Sequence, residues 1–363
     1  MLDFRLNEEQ KMLTETIMRY ARERVRKVYR DAEEGGDIPE ALVRAGWEIG
    51  LLPTAMPEDF GGFGEYSTVT GALAFEEFAW GDLAVTLNVM VPNLVAIPIL
   101  LCGTDEQKST YLPQFCEVAP PQMTAALTEP AIQFSPYKLK TKAVRAGDSY
   151  MLTGTKTFVP LADEADVILV YAAEDGQTQA FLVPTNSEGL TIGARNKLMG
   201  IQSLPTYLVT LSDVSVPAAN KLGGEGGIDF SLILNHSRVA LGAAAVGMAR
   251  AGFEYARDYA KERVQFGEPI AHRQSIAFML ADMATEVDEA RLLVWETAWK
   301  LDQGQDATPE ATIMKQQVDR MVMQVADRAL QILGGYGYIR EYPVELWLRN
   351  ARGFAAFDGL AIV

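Results

Sequence analysis

Apolar and polar positions follow three successive rhythms along this chain. Near the start, Met12, Ile17, Tyr20, Ala21, Val25 and Val28 keep roughly helical spacing. Asn7 with Gln10 three residues on has the form of a capping box ahead of that run. Helices are predicted over residues 1–118, interrupted by the glycine-rich loop PEDFGGFG at 57–64. That loop is no P-loop, because no GK[ST] follows it. Near Pro120–Pro121 the rhythm changes. KLKTKAV (138–144) alternates polar and apolar, and YMLTGTKTFVP, VILVYAA, QAFLVP and TYLVTLSDVSVP are short β-rich runs. Turn-prone stretches such as AGD and EDGQ separate them, which predicts a β domain. After Gly223–Gly227 the helical rhythm returns, with helices predicted at 229–263 and 272–303. A third begins at Thr308, read as the cap, with Pro309 at the first helical position, and ends at Gly334–Gly335. Three long amphipathic helices in succession suggest a bundle. The predicted domains are 1–118 (helical), 119–228 (β) and 229–363 (helical bundle), a mostly α chain of the α+β class.

One run tests that reading. LAVTLNVMVPNLVAIPILLCG (83–103) is long and apolar enough to suggest a membrane span. It contains Asn88, Pro92, Asn93 and Pro98 and has no basic flank, so broken helices in a soluble core are predicted instead. The first ten residues lack a basic segment followed by an apolar one, so no signal peptide and a cytoplasmic location are expected.

Composition narrows the function. A chain of 363 residues has room for two or three domains. The formal net charge of −16 argues against nonspecific nucleic-acid binding and against docking on anionic membranes. It still permits an anionic ligand in a locally basic pocket. Cys102 and Cys116 form no CxxC, and His236 and His272 are the two histidines. Metal and disulfide frameworks are therefore poor readings, and buried free thiols in a reducing compartment are the default.

GxSxG, HExxH and a strand-borne GxGxxG are all missing from the sequence, so a cofactor is expected to do the difficult chemistry. In YAKERVQFGEPIAHRQ (259–274) a helix should end at Arg263, pass through Phe266–Gly267 and Pro269, and restart near Gln274. An arginine at such a break presents a guanidinium fork to a phosphate, or merely pairs with the helix dipole. In QILGGYGYIREYP (331–343), Gln331 closes a helix before two glycines that allow close backbone approach. ALTEP (126–130) stands where the β domain begins. In AAFDGLAIV (355–363), Asp358 is the one acid of an apolar stretch: a solvated turn carboxylate or a base in a pocket.

Taken with GTKTFV (154–159), KLMGIQSLPT (197–206) and FDG (357–359), these motifs make the chain resemble the acyl-CoA dehydrogenase family over almost its whole length. The resemblance implies an N-terminal helical domain, a central β-barrel domain and a C-terminal four-helix bundle. It implies FAD as cofactor, an acyl-CoA thioester as substrate and electron-transfer flavoprotein as acceptor. In the family a carboxylate removes the α-proton while the β-hydrogen leaves as hydride to flavin N5. Such a base needs a dry pocket, and the developing enolate needs hydrogen-bond donors.

Residue by residue, Phe357, Asp358, Gly359 and Leu360 match the family's Tyr-Glu-Gly-Thr motif, so Asp358 stands where the base stands, one methylene shorter. The other base position used in the family falls on Ser237. Arg263, Phe266, Gln274, Gln331, Gly334 and Gly335 match positions that hold the pyrophosphate and adenosine of FAD, lent in the family to a neighbouring subunit. Leu127, Thr128, Phe158 and Val159 match contacts to the chain's own flavin. That second set is altered around its edges. Gln133–Phe134–Ser135 replaces Gly-Ser-Asp, Pro160 replaces a threonine, and so does Leu360. Arg238, Asn235, Phe357 and Gly359 are the expected substrate contacts, with a bundle salt bridge as the competing role for Arg238. An active homotetrameric flavoenzyme is expected first. A non-catalytic partner subunit of a heteromeric dehydrogenase comes second, and a CoA-thioester binding module without redox activity third. Relatives continue into a further helical segment after the base, whereas five residues follow Asp358 here.

Overall fold

The computed structural model describes residues 5–363; Met1–Phe4, part of the segment read for a signal peptide, lie outside the described residues. Helix α1 (Glu8–Tyr20) opens on the predicted capping box: Asn7 Oδ1 accepts the Gln10 N–H at 2.8 Å, and the Gln10 side chain accepts the Asn7 N–H at 3.1 Å. Ile17, Tyr20, Ala21 and Val25 are buried as the spacing predicts. Met12 is 68% exposed, because five residues of helix turn it roughly 140° away from Ile17. The backbone widens to a π-turn over Ala21–Val25 before α2 (Arg26–Gly35). Next come α3 (Glu40–Trp47), α4 (Leu51–Thr54), α5 (Thr68–Gly81), α6 (Leu83–Val89), α7 (Asn93–Cys102) and α8 (Asp105–Tyr111). The decoy segment is α6 and α7, bent by 51° and packed inside the molecule, as predicted for broken core helices.

The strands are β1 (Met123–Ala126), β2 (Lys142–Ala146), β3 (Ser149–Pro160), β4 (Val167–Glu174), β5 (Gln177–Pro184), β6 (Leu190–Arg195) and β7 (Thr206–Pro217). They form one curled sheet in the order β1-β4-β2-β3-β7-β6, with β5 also paired to β4. β1 runs parallel to β4, while the hairpins β2–β3, β4–β5 and β6–β7 are antiparallel. Leu152, Ile168, Phe181, Val209 and Val214 fill its interior.

The bundle is α9 (Phe230–Glu262), α10 (Gln274–Asp302) and α11 (Thr308–Leu333), followed by the short α12 (Val344–Ala351). A small hairpin, β8 (Val264–Gln265) with β9 (Glu268–Pro269), joins α9 to α10. Helix α9 is central. At Gly247 a Cβ would come within 2.0 Å of the Glu76 carbonyl, so glycine lets α5 and α9 touch backbone to backbone. By length and composition α9 could cross a membrane, but neighbouring helices bury 89% of its apolar window.

Two local expectations need correction. Thr308 is the first helical residue of α11 rather than its cap: Ala307 holds the cap position, and the Asp306 carboxylate accepts the Thr308 N–H at 2.9 Å. Its hydroxyl is engaged elsewhere, accepting from Asn235 at 3.0 Å, so a tertiary contact outcompetes local capping. Cys102 and Cys116 are free thiols, but only half-buried.

Candidate active site and cofactor groove

Asp358 follows a tight turn, Phe354–Ala356, at the end of the short helical segment after α12. The turn is fixed from two sides. The Thr128 hydroxyl donates to the Asp358 carbonyl at 3.0 Å, tying the turn to the segment that leaves β1. Lys315 on α11 donates to the Phe354 carbonyl at 2.9 Å. Phe357 is buried with its ring 5.5 Å from that of Phe354. Gly359 takes a φ of +83°, and any Cβ there would press on the Leu127 side chain at 2.8 Å. Glycine is thus required both by conformation and by space.

The Asp358 carboxylate is half-buried, and its Oδ1 is a buried oxygen with no hydrogen-bond partner. This is not a solvated turn carboxylate. Beside it lies a small apolar cavity lined by Leu94, Tyr171, Phe230, Ile233, Leu234, Ser237 and Gly359. The Ser237 hydroxyl is likewise buried and unpartnered. Asn235 donates to Thr308 and leaves its Oδ1 unpaired, and Arg238 donates to Thr312 at 3.1 Å and leaves its buried Nε unpaired. A salt bridge for Arg238 is not formed among the described residues. Buried polar atoms without partners are rare in folded proteins and often mark a place for a ligand or water. Three of them, on Asn235, Ser237 and Arg238, stand within about one turn of α9.

The apolar run after Asp358 is also accounted for. Leu360, Ala361, Ile362 and Val363 are all buried. The Ile362 carbonyl accepts from Asn93 at 3.3 Å, and the Val363 carbonyl oxygen meets the Tyr66 hydroxyl and, at 3.0 Å, His236 Nδ1. Burial pushes His236 down to about 4, so it is neutral at physiological pH and serves as a core hydrogen-bonding group.

The sheet side of the site rests on a fully buried ion pair. Lys156 on β3 contacts Glu129 at 3.0 Å and donates to the Leu127 carbonyl at 3.0 Å. Glu129 also accepts the N–H groups of Lys140 and Thr141 at 2.7 and 2.8 Å. Burial opposes the charged form of Glu129, but Lys156 and those donors prevail and hold the carboxyl below its usual range. Burial brings Lys156 down to about 8, against the pull of Glu129. The pair brackets the predicted flavin contacts, since Leu127 and Thr128 precede Glu129 and Phe158 and Val159 follow Lys156. Between Lys156 and Val159 the β3–β7 register shifts, and Phe158 takes a φ of +55°. The bulge turns Phe158 toward the helical core, while Val159 is buried. Phe134 is half-buried against the core shared by α7 and β1.

The remaining predicted cofactor residues lie elsewhere. Arg263 caps α9, Gly334 ends α11 with a φ of +58°, and an open groove runs between Arg263, Gly334, Gly335 and Tyr336. The Arg263 guanidinium lies over the Tyr336 ring at 5.0 Å and has no carboxylate partner among the described residues. A Cβ on Gly334 or Gly335 would meet nothing, so bare backbone faces the open groove. Phe266 is 94% exposed on the β8–β9 turn. Gln331 is exposed in the last turn of α11, and Gln274 is exposed at the first position of α10. Arg238 and Arg263 are 25 residues apart on α9, which separates them by about 38 Å. Along α9 the predicted substrate contact Arg238 therefore stands far from the predicted pyrophosphate contact Arg263. Sequence reasoning missed Ser237 as a cavity hydroxyl, and missed Tyr171 and Lys315 altogether. They sit within ordinary helical or strand patterns, and no spacing marks them.

The comparisons with known proteins agree with this architecture. Three family models match in order: acyl-CoA dehydrogenase, N-terminal domain, at 7–119; middle domain at 124–214; and C-terminal domain at 225–361. A probable acyl-CoA dehydrogenase, YngJ, of Bacillus subtilis is 36% identical over 97% of this chain and 94% of its own length. Subunit CarC of the caffeyl-CoA reductase–Etf complex of Acetobacterium woodii is 34% identical over 98% of this chain and 96% of its own. The solved structure of butyryl-CoA dehydrogenase from Megasphaera elsdenii superposes with a TM-score of 0.89 at 31% identity, covering 99% and 96% of the two chains. The chain belongs to the acyl-CoA dehydrogenase family and is a flavoprotein-type oxidoreductase acting on acyl-CoA.

Proposed function

We propose that the chain is an FAD-dependent acyl-CoA dehydrogenase in which Asp358 exchanges the α-proton of the thioester. The observation that carries this reading is the unpartnered, buried Asp358 Oδ1 on a doubly anchored turn beside an apolar cavity. A carboxylate with a free oxygen in a water-poor place can take a proton from carbon, which a solvated one does poorly. Asp358 removes the proton from Cα, and the electron pair of that bond becomes part of the Cα=Cβ double bond as hydrogen leaves Cβ. Ser237 is the unpaired hydroxyl facing the same cavity and is positioned to donate to the acyl group. In the reductive direction the same Asp358 returns the proton to Cα.

The residues present fit FAD. Arg263 is an unpaired cation in an open groove floored by bare glycine backbone, which suits a pyrophosphate. Phe158, turned inward by the bulge, with Leu127, Thr128 and Val159, would hold the isoalloxazine. FAD, when bound, supplies the two-electron acceptor for the hydrogen leaving Cβ. In this reading a neighbouring copy completes each site, since the Arg263 groove stands open to solvent. The exposed aromatics Phe266 and Tyr338 beside the groove support such a neighbour, and a homotetramer is the expected state. Electron-transfer flavoprotein is the proposed partner for reoxidation.

The test is the visible spectrum of the purified chain, with flavin counted per subunit. A panel of straight, branched and aryl acyl-CoA thioesters is then added without oxygen. Near-stoichiometric FAD that bleaches with at least one thioester is expected. A chain that binds FAD and never bleaches with any of them refutes the dehydrogenase reading.

A further inference from the structure

Two charged side chains next to Asp358 have no part in the chemistry above. The Lys315 side chain is 9% exposed, and its ammonium has three acceptors: the Asp319 oxygens at 2.8 and 2.7 Å and the Phe354 carbonyl at 2.9 Å. The first two close an ordinary pair one turn along α11. The third reaches out of the helix to the turn that delivers Asp358. The same helix presents Thr308 to Asn235 and Thr312 to Arg238, so it faces the site with a polar ladder. A lysine used only for packing could be replaced by an apolar residue, since buried ion pairs add little net stability. One whose third bond ends on a main-chain carbonyl fixes geometry instead. Asp319 is half-buried beside it. Burial raises its proton affinity, Lys315 opposes this, the Asp358 charge raises it further, and Arg238 opposes again. Asp319 and Asp358 therefore lie within each other's electrostatic reach.

We propose that Lys315 and Asp319 are positioning residues for Asp358. Lys315 holds the turn in place through the Phe354 carbonyl, and Asp319 fixes the ammonium while setting a second carboxylate in the field of the first. Together they determine where the Asp358 carboxylate stands and the pH at which it becomes able to accept a proton. Asp319 from α11 lies within the field of Asp358, Lys315 and Arg238 in turn act on Asp319, and the uncharged Thr128 holds the Asp358 carbonyl on the sheet side. This inference rests on the reading of Asp358 as the base.

The two side chains act on Asp358 with opposite sign, and this makes the idea testable. Asp319→Asn removes a like charge and leaves the ammonium unbalanced, so Asp358 ionises more readily. Lys315→Met removes the cation and the carbonyl anchor, so ionisation is harder and the turn is looser. Single-turnover flavin reduction is followed from about pH 5 to 9, using the thioester that bleaches the wild-type protein. Asp319→Asn should move the acid limb to lower pH by about half a unit. Lys315→Met should move it to higher pH by a similar amount and lower the plateau about tenfold, and Lys315→Arg should restore the limb. Asp358→Asn is the reference. If it abolishes reduction while the two variants shift the limb in the same direction, or leave limb and plateau alone, the positioning role is wrong. If Asp358→Asn reduces flavin at the wild-type rate, the base reading itself is wrong. Should Lys315→Met fail to hold flavin, the direction of the Asp319→Asn shift decides by itself.

Discussion

The two ends of α9 serve different purposes. At Arg238 the helix runs through a closed region, where Asn235, Ser237 and Arg238 each keep a buried polar atom unpaired. At Arg263 it ends in an open groove with an unpaired guanidinium, two bare glycines and an aromatic side chain almost fully in solvent. The first end is built from four parts of one chain: the segment after β1, α9, α11 and the segment after α12. A closed, dry region suits a base, and an open cationic rim suits lending contacts to a neighbour.

The largest effect should come from the closed end. Asp358→Asn keeps the shape and removes the proposed base, so flavin reduction by a thioester should fall by on the order of a thousandfold, measured by anaerobic stopped flow. A fall of less than tenfold would assign the proton transfer to another group. Nearly as large in free energy is the buried pair that supports the sheet side. Lys156→Met leaves Glu129 uncompensated and should cost about 3–5 kcal/mol, read from the midpoint of urea unfolding. Adding Glu129→Leu should recover only part of this, because the N–H groups of Lys140 and Thr141 then lose their acceptor. Full recovery would mean that those two bonds contribute little.

At the open end, Arg263→Ala should weaken FAD binding by roughly tenfold to a hundredfold, the loss of one charge-assisted contact, seen in a titration of flavin-free protein. Mixing sharpens the comparison. Arg263→Ala and Asp358→Asn chains, each impaired alone, should regain activity when co-assembled at limiting FAD if, as proposed, the groove of one completes the site of the other. No recovery in verified mixed oligomers would place both residue sets in the service of a single chain and overturn the idea of lending.

The smallest effect concerns His236. Its folded-state pKa is about 4, against 6.5 when unfolded, so between those values the unfolded chain binds the proton first. Stability is therefore lost as pH falls through this window, by about 2 kcal/mol at pH 5. Asp82, raised to about 6 by burial, acts in the opposite sense between 3.8 and 6. The comparison with His236→Gln, in which Asp82 is unchanged, isolates the histidine. The variant should lose less stability than the wild type on acidification, and an identical pH profile would contradict a buried neutral imidazole.

Much of the frame was legible because it depends on local periodicity. The capping box at Asn7, the helix breaks at Arg263 and Gly334, and the broken helices of 83–103 all follow from residue type and spacing within a single element. Asp358 was legible as a position through resemblance, but the contacts that hold its turn were not. The turn that carries it is held by Thr128 and Lys315, which lie far away in the chain. The cap of α11 was misplaced for the same reason: nothing local says that Thr308 will be recruited by Asn235.

The sequence by itself determined the order of the three regions, the ends of the long helices and the residues eligible for chemistry, because hydrophobic period, turn residues and motif spacing act over a few residues. Only the tertiary structure decided which of those residues meet. It left Asp358 with a free buried oxygen, turned Phe158 inward at a bulge, and set Lys315 against the Phe354 carbonyl. It also separated Arg238 from Arg263 by the length of a helix. Burial and pairing are properties of surfaces that come together from distant parts of the chain, and no local pattern records which surfaces those will be.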